Sequence, residues 1–321
     1  MEAVASDING LTVPHDQPSS AKTPPWRVPF AALEETPGRL RGIVDEWGCA
    51  VVSGVATPGE CAQWATDIAG FFEALGTGVR ITPGDKRQNE GDVARECPRS
   101  RWMVNNGGLC HNFGCGHLPP VWDARCHPRV RRVFAEIWGT DELACSFDGV
   151  NVDRPKLNPS RQAPKLGLHT DQDPASNPAG LRCVQGVLSL TRTVTACSGT
   201  SLVPGSHRYH REMLLERFPT PAKEFKRDWI VLPDPALNWL LARPGCNIVH
   251  VETSAGDMVL WDSRTIHCGR RVRATGMRWE ARRPMNTGLL FCSFPLHFLE
   301  SSCVCVLDPL TAAPTNLAVG R

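Results

Sequence analysis

The sequence predicts a mainly β fold with flanking helices, built on a double-stranded β-helix (jelly-roll) core. Three observations lead there. From Gly139 onward, short apolar and β-branched runs alternate with turn residues. Before them, apolar residues recur at helical spacing. Finally, a His-x-Asp triplet at His169 and Asp171 is answered far downstream by His267. A jelly roll lays strands distant in sequence side by side, so it can bring these residues together.

The elements follow in chain order. Residues 1–38 are rich in Pro, Ser, Thr and Ala with little periodicity, and read as a flexible or loosely docked N-terminal arm. A single domain is expected over 39–310, helical over 39–140 and jelly-roll over 141–300, with a tail at 311–321. Leu40, Ile43, Val44 and Trp47 share a helix face that Gly48 ends before an apolar strand, Cys49 to Val55. Thr57, Pro58 and Glu60 look like an N-cap, a first-turn proline and the partner of a capping box, opening a helix towards Leu75. Residues 76–126 are Gly-, Arg- and Cys-rich and carry no clear period. Val130, Val133, Phe134 and Ile137 mark one face of a helix over 128–138. Strands are expected at about 143–152, 165–171, 181–190, 200–204, 246–251, 257–262, 264–268 and 287–294. Helical insertions are expected around 209–218 and 235–242.

Composition bounds the function. The 321 residues are 41% hydrophobic and 21% charged, ordinary for a globular protein able to bury a large core. No apolar run reaches the roughly 20 residues of a membrane span, and the N-terminus, with Glu2 and Asp7, lacks a basic-then-apolar signal pattern. The expected compartment is therefore the cytoplasm. The 14 cysteines then read as reduced thiols rather than a disulfide framework, and Cys145, Cys183 and Cys292 fall within expected strands as small apolar side chains. A net charge of +2 argues against nucleic acid as a partner.

The chemistry sits on His169, Asp171 and His267. Side chains alternate along a strand, so His169 and Asp171 point to one face and can reach one ion. Two imidazoles and one carboxylate form the facial triad that leaves open positions on Fe(II). His267 follows a Gly256-Asp257 turn and an apolar strand through Trp261, and a further short strand is expected to end on it.

In order, His169-x-Asp171, the Leu202-Val203-Pro204-Gly205-Ser206-His207 turn and Gly256-Asp257 through Asp262-Ser263-Arg264 to His267 resemble the phytanoyl-CoA dioxygenase family. The likeness runs over about residues 40–300. It implies an oxidoreductase dependent on Fe(II), 2-oxoglutarate and O2, with His169, Asp171 and His267 as metal ligands. It also implies an arginine shortly after the distal histidine, pairing bidentately with the 2-oxoglutarate 5-carboxylate. The segment after His267 is longer than the family pattern. Arg278 fits by spacing and Arg283 by closeness to the last strand, with Arg282 between them. Gln185 and Gln172 are candidate pocket-lining residues, Gln185 on the co-substrate side, and the alternative for each is an ordinary core or rim amide. The substrate is a small molecule of unidentified structure.

Two other functions use the same residues. A zinc hydrolase would fill the His/Asp/His site with Zn²⁺ and activate water. A jelly roll lacking the carboxylate anchor would be a binding module without chemistry. Elsewhere, Cys110, His111, Cys115 and His117 include zinc-ligand types, but without paired zinc spacing. That loop reads better as a cover over the barrel mouth. The arginines from Arg264 to Arg283 form a solvated loop or a grip for an anionic substrate, with no interleaved aromatics for a nucleic-acid face.

Overall fold

The protein is described by a computed structural model, which defines residues 23–76, 109–110, 112–153, 167–175, 180–193, 199–219, 228–270, 286–295 and 304–306. The strands are β1 (Arg27–Pro29), β2 (Cys49–Ser53), β3 (Leu109–Cys110), β4 (Leu143–Ser146), β5 (Val150–Asp153), β6 (His169–Asp171), β7 (Val184–Ser189), β8 (Gly199–Leu202), β9 (Trp229–Val231), β10 (Val249–His250), β11 (Met258–Asp262), β12 (His267–Arg270), β13 (Asn286–Pro295) and β14 (Val304–Val306). They form two sheets, as a jelly roll requires. The larger runs β1-β2-β11-β7-β13-β4-β14, with β3 and β5 attached through β13. The smaller runs β10-β8-β12-β6-β9.

Three apolar clusters hold the layers. Trp26, Val51, Leu202, Val259 and Trp261 pack together, joining residues of the two sheets. The second face of the larger sheet is covered by helices Arg39–Trp47, Pro58–Ala74 and Pro128–Trp138. Leu40, Val44, Ile68, Phe72, Val133 and Ile137 from these helices meet Val52, Val184, Leu188 and Leu260 from the strands. The outer face of the smaller sheet carries the insertion, where Met213, Leu214, Ala236 and Leu240 pack on Ile230, Ile266 and Cys268. Each helix thus buries the stripe its period announced. At the start of Pro58–Ala74, Glu60 N donates to Thr57 Oγ1 at 3.2 Å and Thr57 N donates to Glu60 Oε2 at 2.7 Å, closing the expected capping box. Such a cap is worth about 1 kcal/mol.

Several elements depart from expectation. Residues 23–38 are not a loose arm: β1 pairs in parallel with β2, and Trp26, Val28 and Leu33 are buried. Three apolar side chains in a Pro-rich stretch give no period, so only their docking reveals them. The strand expected over 143–152 is two, β4 and β5, parted where the Ser146 hydroxyl turns onto the Asp148 carboxylate. The strand expected over 264–268 starts rather than ends at His267. Ahead of it Arg264 N donates to Asp262 Oδ1 at 2.9 Å and Thr265 N to the Asp262 carbonyl at 2.8 Å, winding residues 262–265 into a turn. The 209–218 insertion is a 3₁₀ turn, Ser206–Tyr209, followed by a π-helical turn, Glu212–Arg217. Strand β9 and the helix Pro119–Cys126 were not expected. Nine cysteines, among them Cys49, Cys61, Cys110 and Cys115, are free thiols, and most of these are buried. Burial pushes the Cys49 thiol up to about 12 and Cys61 to about 11, so neither is a reactive thiolate.

Candidate metal centre

Strand pairing assembles the site. Antiparallel β12 sets His267 directly across from His169 on β6, and alternation puts Asp171 on the same face. The turn before β12 is tied to β6: Asp171 N and Thr170 Oγ1 both donate to the Ser263 carbonyl at 2.9 Å. As a result one ligand atom from each of His169, Asp171 and His267 lies within 4.8 Å of the others. Among the described residues this is the one such group of His, Cys, Asp or Glu. His267 is buried, while His169 and Asp171 stay partly open to solvent.

Tautomers are set by the backbone. His169 Nδ1 donates to the Gly167 carbonyl at 2.6 Å, and His267 Nδ1 donates to the Thr265 carbonyl at 2.9 Å. A carbonyl can only accept, so both rings carry a proton on Nδ1 and turn Nε2 inward, where it is a ligand atom whenever the ring is neutral. His267 Nε2 lies 3.3 Å from Asp171 Oδ2, and His169 Nε2 lies 3.8 Å from Asp171 Oδ1. Lone pairs facing a carboxylate at that range repel unless a cation sits among them. The donor set fits a divalent transition metal, and two nitrogens with one carboxylate on one face leave positions free, as Fe(II) oxygenases require.

Electrostatics agree with this. Burial raises the Asp171 carboxyl's pKa, but with protons rather than a metal at the inward Nε2 atoms the hydrogen bond and charge of His267, the charge of His169 and the Gln185 amide outweigh it and hold it below the usual range. The His169 imidazole is pushed down by burial and by His267, against the pull of Asp171, a direction that favours the neutral form a metal needs.

Gln185 does not stand free in the pocket. Its Nε2 donates to Asp171 Oδ2 at 2.8 Å, and its Oε1 accepts from Trp261 Nε1 at 2.6 Å. Gln185 and Trp261 are cross-strand neighbours on β7 and β11, and the Trp261 ring lies 5.0 Å from that of His267. The indole therefore orients one ligand by packing and a second through the amide. Trp261 was legible as a strand residue only; its partner was not.

Gln172 is a buried core amide. It accepts from Ser263 Oγ at 2.7 Å, and its carbonyl accepts from His210 Nε2 at 2.8 Å. Arg264 forms an ion pair with buried Asp262, so that arginine braces the turn under His267. In the loop after β3, Cys115 Sγ donates to the Cys110 carbonyl at 2.8 Å, while His117 packs on Trp122 and Phe147. Arg278, Arg282 and Arg283 lie outside the described residues.

His210 gives the centre's support a pH signature. Burial holds its imidazole down at about 4, against an ordinary 6.5. The unfolded chain takes up the proton first as pH falls, so this contribution is complete above pH 6.5 and is lost by about 4. The span corresponds to about 3 kcal/mol. Urea unfolding between pH 4 and 6.5 should show a flatter stability slope in His210→Gln than in wild type. Equal slopes would mean the group is not buried neutral.

With this geometry in place, the comparisons with known proteins are direct. The phytanoyl-CoA dioxygenase (PhyH) profile matches residues 44–279. The Ava biosynthesis cluster protein O of Aspergillus versicolor is 28% identical over 264 residues, covering 81% of this chain and 80% of that one. Among solved structures, the epimerase SnoN in complex with Fe3+, alpha ketoglutarate and nogalamycin RO is similar at TM-score 0.47 and 17% identity, with 88% of each chain covered. The non-heme monooxygenase ThoJ is similar at TM-score 0.48 and 12% identity, over 84% of this chain and 83% of that one. No helix among the described residues is long and apolar enough to cross a membrane. The matched span contains His169, Asp171 and His267, and the chain belongs to the phytanoyl-CoA dioxygenase family of Fe(II)- and 2-oxoglutarate-dependent oxidoreductases.

Proposed function

We propose that the protein hydroxylates a C–H bond of a small-molecule substrate, with His169, Asp171 and His267 holding iron and Arg278 or Arg283 anchoring the 2-oxoglutarate 5-carboxylate. The observation that carries this reading is the convergence of two inward-facing Nε2 atoms and one carboxylate within 4.8 Å. Fe(II) with 2-oxoglutarate and O2 supplies the oxidation: 2-oxoglutarate becomes succinate and CO2, and one oxygen atom enters the substrate. The chain's own residues do the rest. The two Nδ1–H donors keep both rings in the ligating tautomer. Gln185 holds the Asp171 carboxylate in place, and Trp261 shields the buried side of His267 from water.

Two facts bear on the anchor. Arg278 lies inside the matched span and Arg283 beyond its end, while β13 begins at Asn286, three residues after Arg283. The relative named for a biosynthesis cluster supports a small-molecule substrate. Anaerobic Fe(II) titration with 2-oxoglutarate should produce the weak visible charge-transfer band of a chelated complex. Replacing the anchoring arginine with Ala should raise the 2-oxoglutarate concentration needed for that band by about a hundredfold, the loss expected when a buried carboxylate loses its bidentate partner. If neither Arg278→Ala nor Arg283→Ala moves it, the anchor assignment fails. If no band and no succinate form at all, the oxygenase reading fails.

A further inference from the structure

Strand β9 presents apolar side chains on both of its faces. Ile230 is buried against the helical insertion, as a core-facing residue should be. Trp229 and Val231 point the other way, yet Trp229 is 56% exposed and Val231 43%. With Phe113, they are the large exposed hydrophobics among the described residues. A solvated strand face normally carries polar side chains, and apolar surface on an edge strand is a liability that chains avoid. Here that surface has a specific place. In the antiparallel register Asp171 lies opposite Trp229 and His169 opposite Val231, so both apolar side chains share the metal-ligand face. The Trp229 ring lies 5.6 Å from the His169 ring.

The two indoles at this centre are used in opposite ways. Trp261 is buried, packs on His267 and spends its N–H on Gln185. Trp229 stands on the open side, beside His169, with more than half of its surface exposed. Any substrate oxidised at this centre must come within a few ångströms of the same ligands. An indole offers such a molecule a flat, polarisable face, which prefers a planar unsaturated ring to a saturated one of equal size.

We propose that Trp229, with Val231 beside it, is the substrate platform of this enzyme and selects a planar unsaturated ring system, held next to His169 on the open side of the metal. This rests on the hydroxylase reading for the identity of the occupant. Binding at the platform, however, requires no turnover.

The test uses the full-length chain loaded with Mn(II), with the Zn(II)-loaded chain as diamagnetic control. The probes are 2-naphthalenemethanol and its fully saturated counterpart, decahydro-2-naphthalenemethanol, neutral alcohols that differ in planarity. Proton line broadening in Mn(II)-loaded wild type should report the planar probe near the metal, binding about tenfold more tightly than the saturated one. Trp229→Phe should keep that preference, and Trp229→Leu, which remains apolar, should lose it with Mn(II) affinity unchanged. The proposal is overturned if wild type treats both probes alike or if Trp229→Leu keeps the planar preference. It is also overturned if Trp229→Leu loses Mn(II) affinity together with the probe, since Trp229 would then only brace His169. A protein that shows the expected probe pattern but forms no succinate keeps the platform and loses the hydroxylase reading.

Discussion

Asp171→Ala is expected to abolish metal loading and turnover while leaving the fold intact. Asp171 carries the one negative charge of the triad, and both histidine Nε2 atoms lie within 4 Å of its oxygens. Without it, two neutral imidazoles would hold a divalent ion alone. Partners behind metal ligands are themselves worth about 10- to 100-fold in affinity, so a first-rank ligand is worth more. The fold survives because β6 is tied down by Thr170, whose side chain is buried, and by backbone hydrogen bonds that no side-chain change at 171 removes. Isothermal titration with Fe(II) under anaerobic conditions reads the affinity, and circular dichroism reads the fold. Gln185→Leu gives the graded comparison. It removes the amide from Asp171 and strands the buried Trp261 N–H, so Fe(II) affinity should fall by about 10- to 100-fold. Stability should fall by about 1–3 kcal/mol. An Asp171→Ala protein that still binds Fe(II) as wild type would displace the centre from these residues.

The second large effect is on stability. Gly256 opens β11 with φ +90°, and a Cβ there would lie 2.0 Å from the Ala56 carbonyl oxygen and 2.9 Å from its carbon. Those are backbone atoms, and they cannot swing aside. Val55 N and Ala56 N both donate to the Gly256 carbonyl, at 2.8 and 3.2 Å, while Gly256 N donates to Ser189 at 2.8 Å. Adding one methyl therefore forces apart β2, β7 and β11, the middle of the larger sheet. Gly256→Ala should cost more than about 3 kcal/mol, combining the left-handed backbone penalty with an unrelieved clash. Gly38→Ala is the matched control: φ is +79° but nothing lies within 4 Å of the added Cβ, so only the backbone cost of about 1 kcal/mol applies. Urea melts of the two variants should separate these values, and equal losses would refute the clash.

Much of this is legible in the sequence alone. The helix faces at Leu40–Trp47 and Val130–Ile137 follow from a period set by helix geometry. The capping box at Thr57 and Glu60 follows from local hydrogen-bond chemistry. His169 and Asp171 share a face because strand alternation is a property of the backbone alone. What failed was also local in character. β1 is three residues long and β9 is another three, too short to show a period, and each is a strand only because a neighbour supplies its hydrogen bonds. That the Gln185 amide lies on Asp171 is a relation set by the register of β7 against β11, which no local pattern reveals.

The candidate ligands, the jelly-roll class and the helical layer were thus legible in the sequence itself, since they rest on residue chemistry, on a repeat of two or 3.6 and, for His267, on the order of motifs. The tertiary structure alone decided which partners those ligands have. It placed His267 across from His169 and chose both tautomers through the Gly167 and Thr265 carbonyls. It also set Trp261 behind the ligands and Trp229 in front of them. The physical reason is that register and sheet order are settled by burial summed over the whole core, in which no short stretch of sequence carries more than a small share.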